Sequence, residues 1–257
     1  MIRGLYTAAS GMNAQQHRID VTSNNIANVN TTAFKQDRAE FQDLMYESLN
    51  YTAGATSEST SNPTGIDAGL GVRIAGIQKN FLQGSLTQTG NPLDIAIEGR
   101  GFFEITLPNG DVGYSRNGAF KLDSEGTLVN GQGYPLAQGI TLESGAKEIS
   151  IGENGTISYK IDDEIIQAGP LQVFTFVNPA GLSPKGDSLY SVTNTSGEPV
   201  EIENTQVKVR QGMLESSNVK LVNEMVDLIT AQRAYEASSK AITTTDQMLT
   251  IVNQLKR

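Results

Sequence analysis

A long stretch toward each end of this chain lacks both glycine and proline. No glycine lies between Met12 and Ala53 or after Gly212, and all eight prolines fall between Pro63 and Pro199. These two residues interrupt helices most strongly, so their absence predicts long helical ends around a turn-rich middle. Each end also carries a heptad series: Leu5, Met12, Ile19 and Ile26, then Leu221, Leu228, Tyr235, Ile242 and Leu249. A spacing of seven keeps side chains on one slowly drifting face, the arrangement of a coiled-coil seam. Three residues further on, the series is less apolar: Ala8, Gln15, Thr22 and Val29, then Glu224, Ala231, Ser238, Thr245 and Val252. The two ends are therefore expected to pair as a coiled coil and to become fully ordered only when neighbouring subunits cover them. The first helix is expected over about 2–28 and the last over about 216–255.

Between the ends the periodicity changes. Short β-type runs, among them Val72–Ile77, Leu93–Ile97, Phe102–Leu107, Ala119–Leu122, Ile149–Ile151, Thr156–Ile161, Leu171–Val177 and Val207–Val209, alternate with turn signals. Asn109-Gly110, Asn117-Gly118, Asn130-Gly131 and Asn154-Gly155 suit the positive φ of hairpin turns. The expected class is α+β, with an antiparallel middle. Its parts are an N-terminal helix (1–30), a connector (31–75), a β-rich middle (76–210) and a C-terminal helix (211–257). Residues 33–51, with Phe34 and Phe41 seven apart, fit either a short amphipathic helix or an extended connector. The Ser/Thr/Gly-rich stretch after it reads by composition as a flexible loop. Gln83-Gly-Ser-Leu86 and Gln211-Gly-Met-Leu214 echo each other at the two borders of the middle.

Composition excludes several functions. With 19 Lys and Arg against 28 Asp and Glu, the net charge of −9 leaves no basic stripe for nucleic acid. The chain has no cysteine, which removes disulfides, thiolate metal sites and thiol nucleophiles. No run of about 18 apolar residues exists to span a membrane, and the first ten residues lack the apolar stretch of a cleaved signal.

Possible chemical residues have plainer explanations. His17 is the only histidine and sits on a polar helix face. Gly99-Arg-Gly101 lacks the third glycine and the strand-loop-helix setting of a nucleotide fingerprint, so it reads as a tight turn. Asp162-Asp163-Glu164 lacks EF-hand spacing and reads as a solvated hairpin tip. Asp94, Glu98 and Glu104 are the polar face of a sheet, and Arg233 is placed to pair with Glu236 on a helix surface. No catalytic residue, cofactor or metal is expected. A secreted cell-wall-active enzyme or a surface adhesin remain as less favoured alternatives. The first would turn over peptidoglycan, and the second would carry a secretion signal or an anchor.

Longer motifs point to one family. Ser10-Gly-Met-Asn-Ala-Gln-Gln16, Ile19-Asp20, Ser23-Asn-Asn-Ile-Ala-Asn-Val-Asn-Thr31 and Phe34-Lys35 resemble the N-terminal signature of the flagellar rod and hook axial proteins. Gly212-Met-Leu-Glu-Ser-Ser-Asn-Val219, Glu224-Met-Val, Gln232-Arg-Ala-Tyr-Glu236, Ser239-Lys240 and Asp246-Gln-Met-Leu249 resemble the C-terminal one, while Gly99-Arg-Gly-Phe-Phe103 and Tyr114-Ser-Arg116 extend the likeness through the middle. Asn24, Asn25, Asn28, Phe34, Gln232, Arg233 and Asp246 are the motif positions. Within the family the likeness is to distal-rod subunits, with the longer proximal rod protein and hook-type subunits as alternatives.

The resemblance implies a structural subunit of the bacterial flagellum's basal body. Such subunits form a rigid helical homopolymer in the periplasmic space, transmit torque from motor to hook and enclose the export channel. It implies paired terminal helices as the inner core. It also implies proximal rod proteins, hook protein, P- and L-ring proteins where present, the rod cap and the flagellar type III export apparatus as partners, with export needing no cleaved signal. The stretch 46–70, with Ser57, Thr60, Pro63 and Gly65, resembles the rod-specific segment, cast as a wedge between subunits that keeps the tube straight.

Overall fold

The computed structural model describes residues 2–50, 55–57, 60–61, 66–143, 146–162, 164–202 and 207–255. The class is α+β: two long terminal helices and a middle of small antiparallel sheets. Two compact units form, each assembled from separated stretches of chain. The first holds Met1–Ala27, Asp37–Gln78 and Lys220–Arg257, and the second Asn28–Gln36 and Lys79–Val219.

In the first unit, α1 (Ile2–Ala27) and α2 (Leu221–Leu255) lie against each other. The connector is extended rather than helical. Asp37–Asp43 alternates half-buried and exposed positions with period two, the strand pattern, and pairs with Val72–Lys79. Tyr46–Asn50 then pairs antiparallel with Ile66–Gly69, and Ala55–Ser57 pairs with Thr60–Ser61; the rest of the Ser/Thr-rich stretch between them lies outside the described residues. Ser10 Oγ at the Val72 amide (3.3 Å) ties α1 to this connector. Gly71 there, at φ +114°, leaves no room for a Cβ beside Ser10.

In the second unit, the main core gathers Ile95, Ile97, Phe103, Phe120, Leu128, Leu136, Ile157, Leu171, Val173 and Val209. A second cluster is aromatic, with Phe102, Tyr114, Phe176 and Tyr190 packed edge to face. A four-stranded sheet runs in the order Ser183–Gly186, Leu189–Ser191, Val112–Ser115, Phe103–Thr106. Lys147–Ile151, Thr156–Ile161 and Glu164–Pro170 form a meander whose tip begins at exposed Asp162. The chain then returns late to its early strands. Lys208–Gln211 pairs with Ile95–Glu98, and Met213–Glu215 pairs with Leu86–Gln88.

The echoing Gln-Gly-x-Leu segments thus meet as neighbours. Their glutamines do similar work: Gln83 bonds the Ile97 carbonyl and the Gly99 amide, while Gln211 bonds the Pro92 and Ile149 carbonyls and the Ile151 amide.

Several local expectations are corrected. α2 starts at Leu221, not near Ser216, because Asn218 is engaged elsewhere. Its amide donates to the Asn80 and Leu82 carbonyls and its oxygen accepts from Gln36 N–H, which holds that stretch extended. Of the four Asn-Gly turns, only Gly110 and Gly155 have positive φ. Gly118 is needed for close approach instead, since a Cβ there would sit 1.6 Å from the Ile95 carbonyl oxygen. The Arg233–Glu236 pair does not form, and both side chains are exposed.

One buried charge cluster joins the distant stretches of the second unit. Glu215 accepts from Lys35 Nζ at 2.6 Å, Arg116 Nε at 2.8 Å and the Gly84 amide at 2.8 Å. Lys35 also donates to the Leu82 carbonyl and Arg116 to the Gly99 carbonyl, both at 2.8 Å. All three side chains are at most 3% exposed. Burial lowers the Lys35 pKa, against the pull of Glu215, which raises it. With the folded value below the unfolded one, unfolding takes up a proton at Lys35 in the alkaline window between them. This residue's contribution to stability therefore grows as pH rises through that window and levels off above about 10.4.

Glu215→Gln leaves two buried cations without a counter-charge and is expected to cost about 3–5 kcal/mol in urea unfolding. Repeating the titration at stepped alkaline pH, the parent chain should gain stability relative to Lys35→Met through the window.

Candidate functional site

The long helices carry most of the motif residues, and the face by which they meet is small and polar. A Cβ on Gly11 of α1 would come 3.5 Å from Ser238 Oγ of α2. Arg18 bonds Asp227 at 2.7 Å, and Asn25 bonds Glu224 at 3.2 Å. Residue numbers rise along α1 as they fall along α2, so the helices run antiparallel. The deeply buried helix positions are Ala14, Thr22, Asn25, Glu224 and Ala231, the last at 0% exposure. Small side chains at these positions let the backbones approach closely, because interaxial distance follows side-chain size at the contact. Gln15 Oε1 is buried with no hydrogen-bond partner among the described residues.

The large heptad residues flank this seam. Leu5, Met12, Ile19, Ile26, Leu228, Tyr235, Ile242 and Leu249 are half-buried, and Leu221 is exposed. Beside them α2 exposes a second apolar set: Val222, Met225, Val226 and Ile229 near its start, and Met248, Ile251, Val252 and Leu255 near its end. Steps of three and four make each set one continuous stripe.

The asparagine motif divides by role. Asn25, 1% exposed, donates to Glu224 Oε2 and to the Asp37 carbonyl at 2.8 Å, and its oxygen accepts the Asp37 amide at 2.9 Å. One side chain thereby fixes α1 to α2 and to the first connector strand. Exposed Asn24 reaches the Asp37 carboxylate at 3.4 Å. Within the second unit, Asn28 accepts from the Thr31 hydroxyl, and Phe34 lies under the Lys79 ammonium, 5.3 Å from the ring centroid. Gln232, Arg233 and Asp246 are exposed on α2. In the rod-specific stretch, Ser57 pairs with Thr60 between two short antiparallel strands, while Pro63 and Gly65 lie outside the described residues.

Sequence reasoning did not single out Glu224, Glu215 or Arg116 as structural keys. The available signal was the place of all three in the family motifs and, for Glu224, a carboxylate set among Leu221, Val222, Met225 and Val226.

The carboxylates considered for chemistry have structural partners. Asp94 accepts from Thr89 and Asn91, Glu98 from Arg210, and Glu104 from the Tyr114 hydroxyl, whose pKa is raised mainly by burial and then by Glu104. Gly99 has φ +116°, and a Cβ on Gly101 would strike Val173, so this stretch is a tight turn. A half-open cavity of about 320 Å³ lies beside Phe34, Lys79, Ser188 and Tyr190. Among the described residues no group of three or more His, Asp or Glu is placed to hold a metal, and no helix is long and apolar enough to cross a membrane.

Three family descriptions match the chain: "Flagella basal body rod protein" over residues 5–35, "Flagellar hook protein FlgE/F/G D1 domain" over 96–159, and "Flagellar basal body rod FlgEFG protein C-terminal" over 210–255. The flagellar basal-body rod protein FlgG of Borreliella burgdorferi is 47% identical over the full length of both chains. The FlgG of Agrobacterium fabrum is 43% identical over 98% of this chain and 99% of its own. The flagellar hook-basal body complex protein FlhP of Bacillus subtilis is 31% identical over the whole of both. The small-residue seam, the Asn25 clamp and the β-rich middle are thus features of a structural, non-enzymatic flagellar rod subunit, and the chain belongs to the FlgG family of basal-body rod proteins.

Proposed function

We propose that this chain polymerises with itself into the distal rod, a rigid tube in the periplasmic space that carries torque from motor to hook and surrounds the export channel. The observation that supports this reading is the apolar surface of α2. Val222, Val226 and Ile229 are 73%, 55% and 50% exposed on one helical stripe, beside heptad residues buried only halfway. A single folded chain leaves this surface in water, whereas covering it contributes about 25 cal/mol per Å² of apolar area. In the assembled rod, the half-buried series from Leu5 to Ile26 and from Leu228 to Leu249 becomes a coiled-coil inner core, completed by helices of other subunits.

The remaining partners follow from the same place in the flagellum: proximal rod proteins below, hook protein above, the rod cap during growth, P- and L-ring proteins around it where present, and the type III export apparatus for delivery without a cleaved signal. The hairpin arm begun by Tyr46–Asn50 and Ile66–Gly69 supplies a segment that fills gaps between subunits and removes their freedom to slide.

Two substitutions separate folding from assembly. Val226→Glu with Ile229→Glu should leave a folded chain, by circular dichroism, that forms no straight tubes by negative-stain electron microscopy under conditions where the parent chain does. Straight tubes from the double variant would count against this reading. Asn25→Ala removes three hydrogen bonds at a buried position and should cost about 1–3 kcal/mol in urea unfolding, the typical penalty for stranded buried partners. In tubes lacking residues 57–64, the persistence length measured from micrographs should fall, and an unchanged value would argue against the wedge.

A further inference from the structure

The four Asn-Gly pairs of the second unit share a sequence and differ sharply in surroundings. At Asn130-Gly131, the asparagine oxygen accepts two backbone amides, from Gln132 at 3.0 Å and Tyr134 at 2.9 Å. Two converging N–H groups make a nest that stabilises negative charge on the oxygen they hold. They also settle which side-chain atom is the oxygen. The Asn130 side chain is 8% exposed, and its Nδ2 makes no hydrogen bond among the described residues. Gly131 is exposed, its N–H is free of backbone bonding, and a Cβ placed on it would meet nothing within 4 Å.

The other pairs lack this combination. The Gly110 and Gly155 amides are tied to the Leu107 and Gly152 carbonyls, both at 2.9 Å. Asn109 Nδ2 is held by Asp111 at 2.6 Å. Gly118 is buried against the Ile95 carbonyl.

We infer that Asn130 is a self-modifying site, converting through a cyclic imide with Gly131 to aspartate and isoaspartate. The Gly131 nitrogen attacks Asn130 Cγ. A C–N bond forms as the amide proton passes to solvent, and the oxyanion that develops on Oδ1 sits between the Gln132 and Tyr134 amides. The Cγ–Nδ2 bond then breaks and the nitrogen leaves as ammonia, taking its third proton from solvent. Water opens the ring at either carbonyl, giving aspartate or isoaspartate, and nothing is oxidised or reduced. The attacking and attacked groups lie on adjacent residues, and the fold holds the side-chain oxygen between two amides, which lowers the entropic cost of the step. Isoaspartate adds a methylene to the backbone just beyond the Val129–Pro135 bridge, beside core residues Leu128 and Leu136.

The full-length chain, incubated folded and in urea at mildly alkaline pH, tests this by peptide mapping with mass spectrometry and isoaspartyl labelling at all four sites. In the fold, Asn130 is expected to convert at least several-fold faster than the other three and no slower than in urea, while the others slow several-fold on folding. Gly131→Ala, which the open surroundings accommodate, should stop conversion at Asn130 without loss of circular dichroism. Equal protection of all four sites by folding, or unchanged conversion in Gly131→Ala, would overturn the inference.

Discussion

The second unit depends on a carboxylate placed where water cannot reach it. Glu215 arrives late in the chain, yet its two oxygens are shared by Lys35, Arg116 and the Gly84 amide, which come from three separate earlier stretches. Such a cluster adds little net stability over a well-packed apolar one, because removing three charges from water is costly. It does discriminate between arrangements. Any register that moved Met213–Glu215 along Leu86–Gln88 would leave two buried cations unpaired, and that penalty selects one pairing.

The first unit solves a different problem by similar means. Two helices meeting through glycine, alanine, serine and threonine have little apolar area to hold them in register, so polar groups do it. Asn25 and Glu224 act at one level and Arg18 and Asp227 at another. Asn25 also holds both main-chain groups of Asp37, which couples the helix pair to the connector strand. The largest side chains are left at the sides of the seam, where a single chain covers them only in part.

How much of this was legible depends on range. The helical ends followed from missing glycine and proline, a local signal, and α1 ends within one residue of expectation. The antiparallel β-rich middle followed from short β-type runs alternating with Asn-Gly turns. The start of α2 was misjudged because the Asn218 side chain serves strands far away in sequence. The strands Val112–Ser115, Leu189–Ser191 and Val200–Ile202 are too short and too mixed in polarity to show a period. The heptad series picked out large side chains that are half-buried in the folded chain, but nothing local could reveal that Ala14 and Ala231 would be buried and Gly11 would face Ser238. Lys35, Arg116 and Glu215 each lay in a separate family motif, and their distance in sequence hid that the fold brings them together.

The late return of the chain also sets an order of events. Ile95–Glu98 and Leu86–Gln88 find their partners only at residues 208–215, so a chain appearing from its N-terminus carries these strand edges open for more than a hundred residues. Contacts this distant in sequence must close a long loop before they return any free energy, which slows folding and concentrates it at the end. The second unit is therefore kept from completing itself until nearly the whole polypeptide is present.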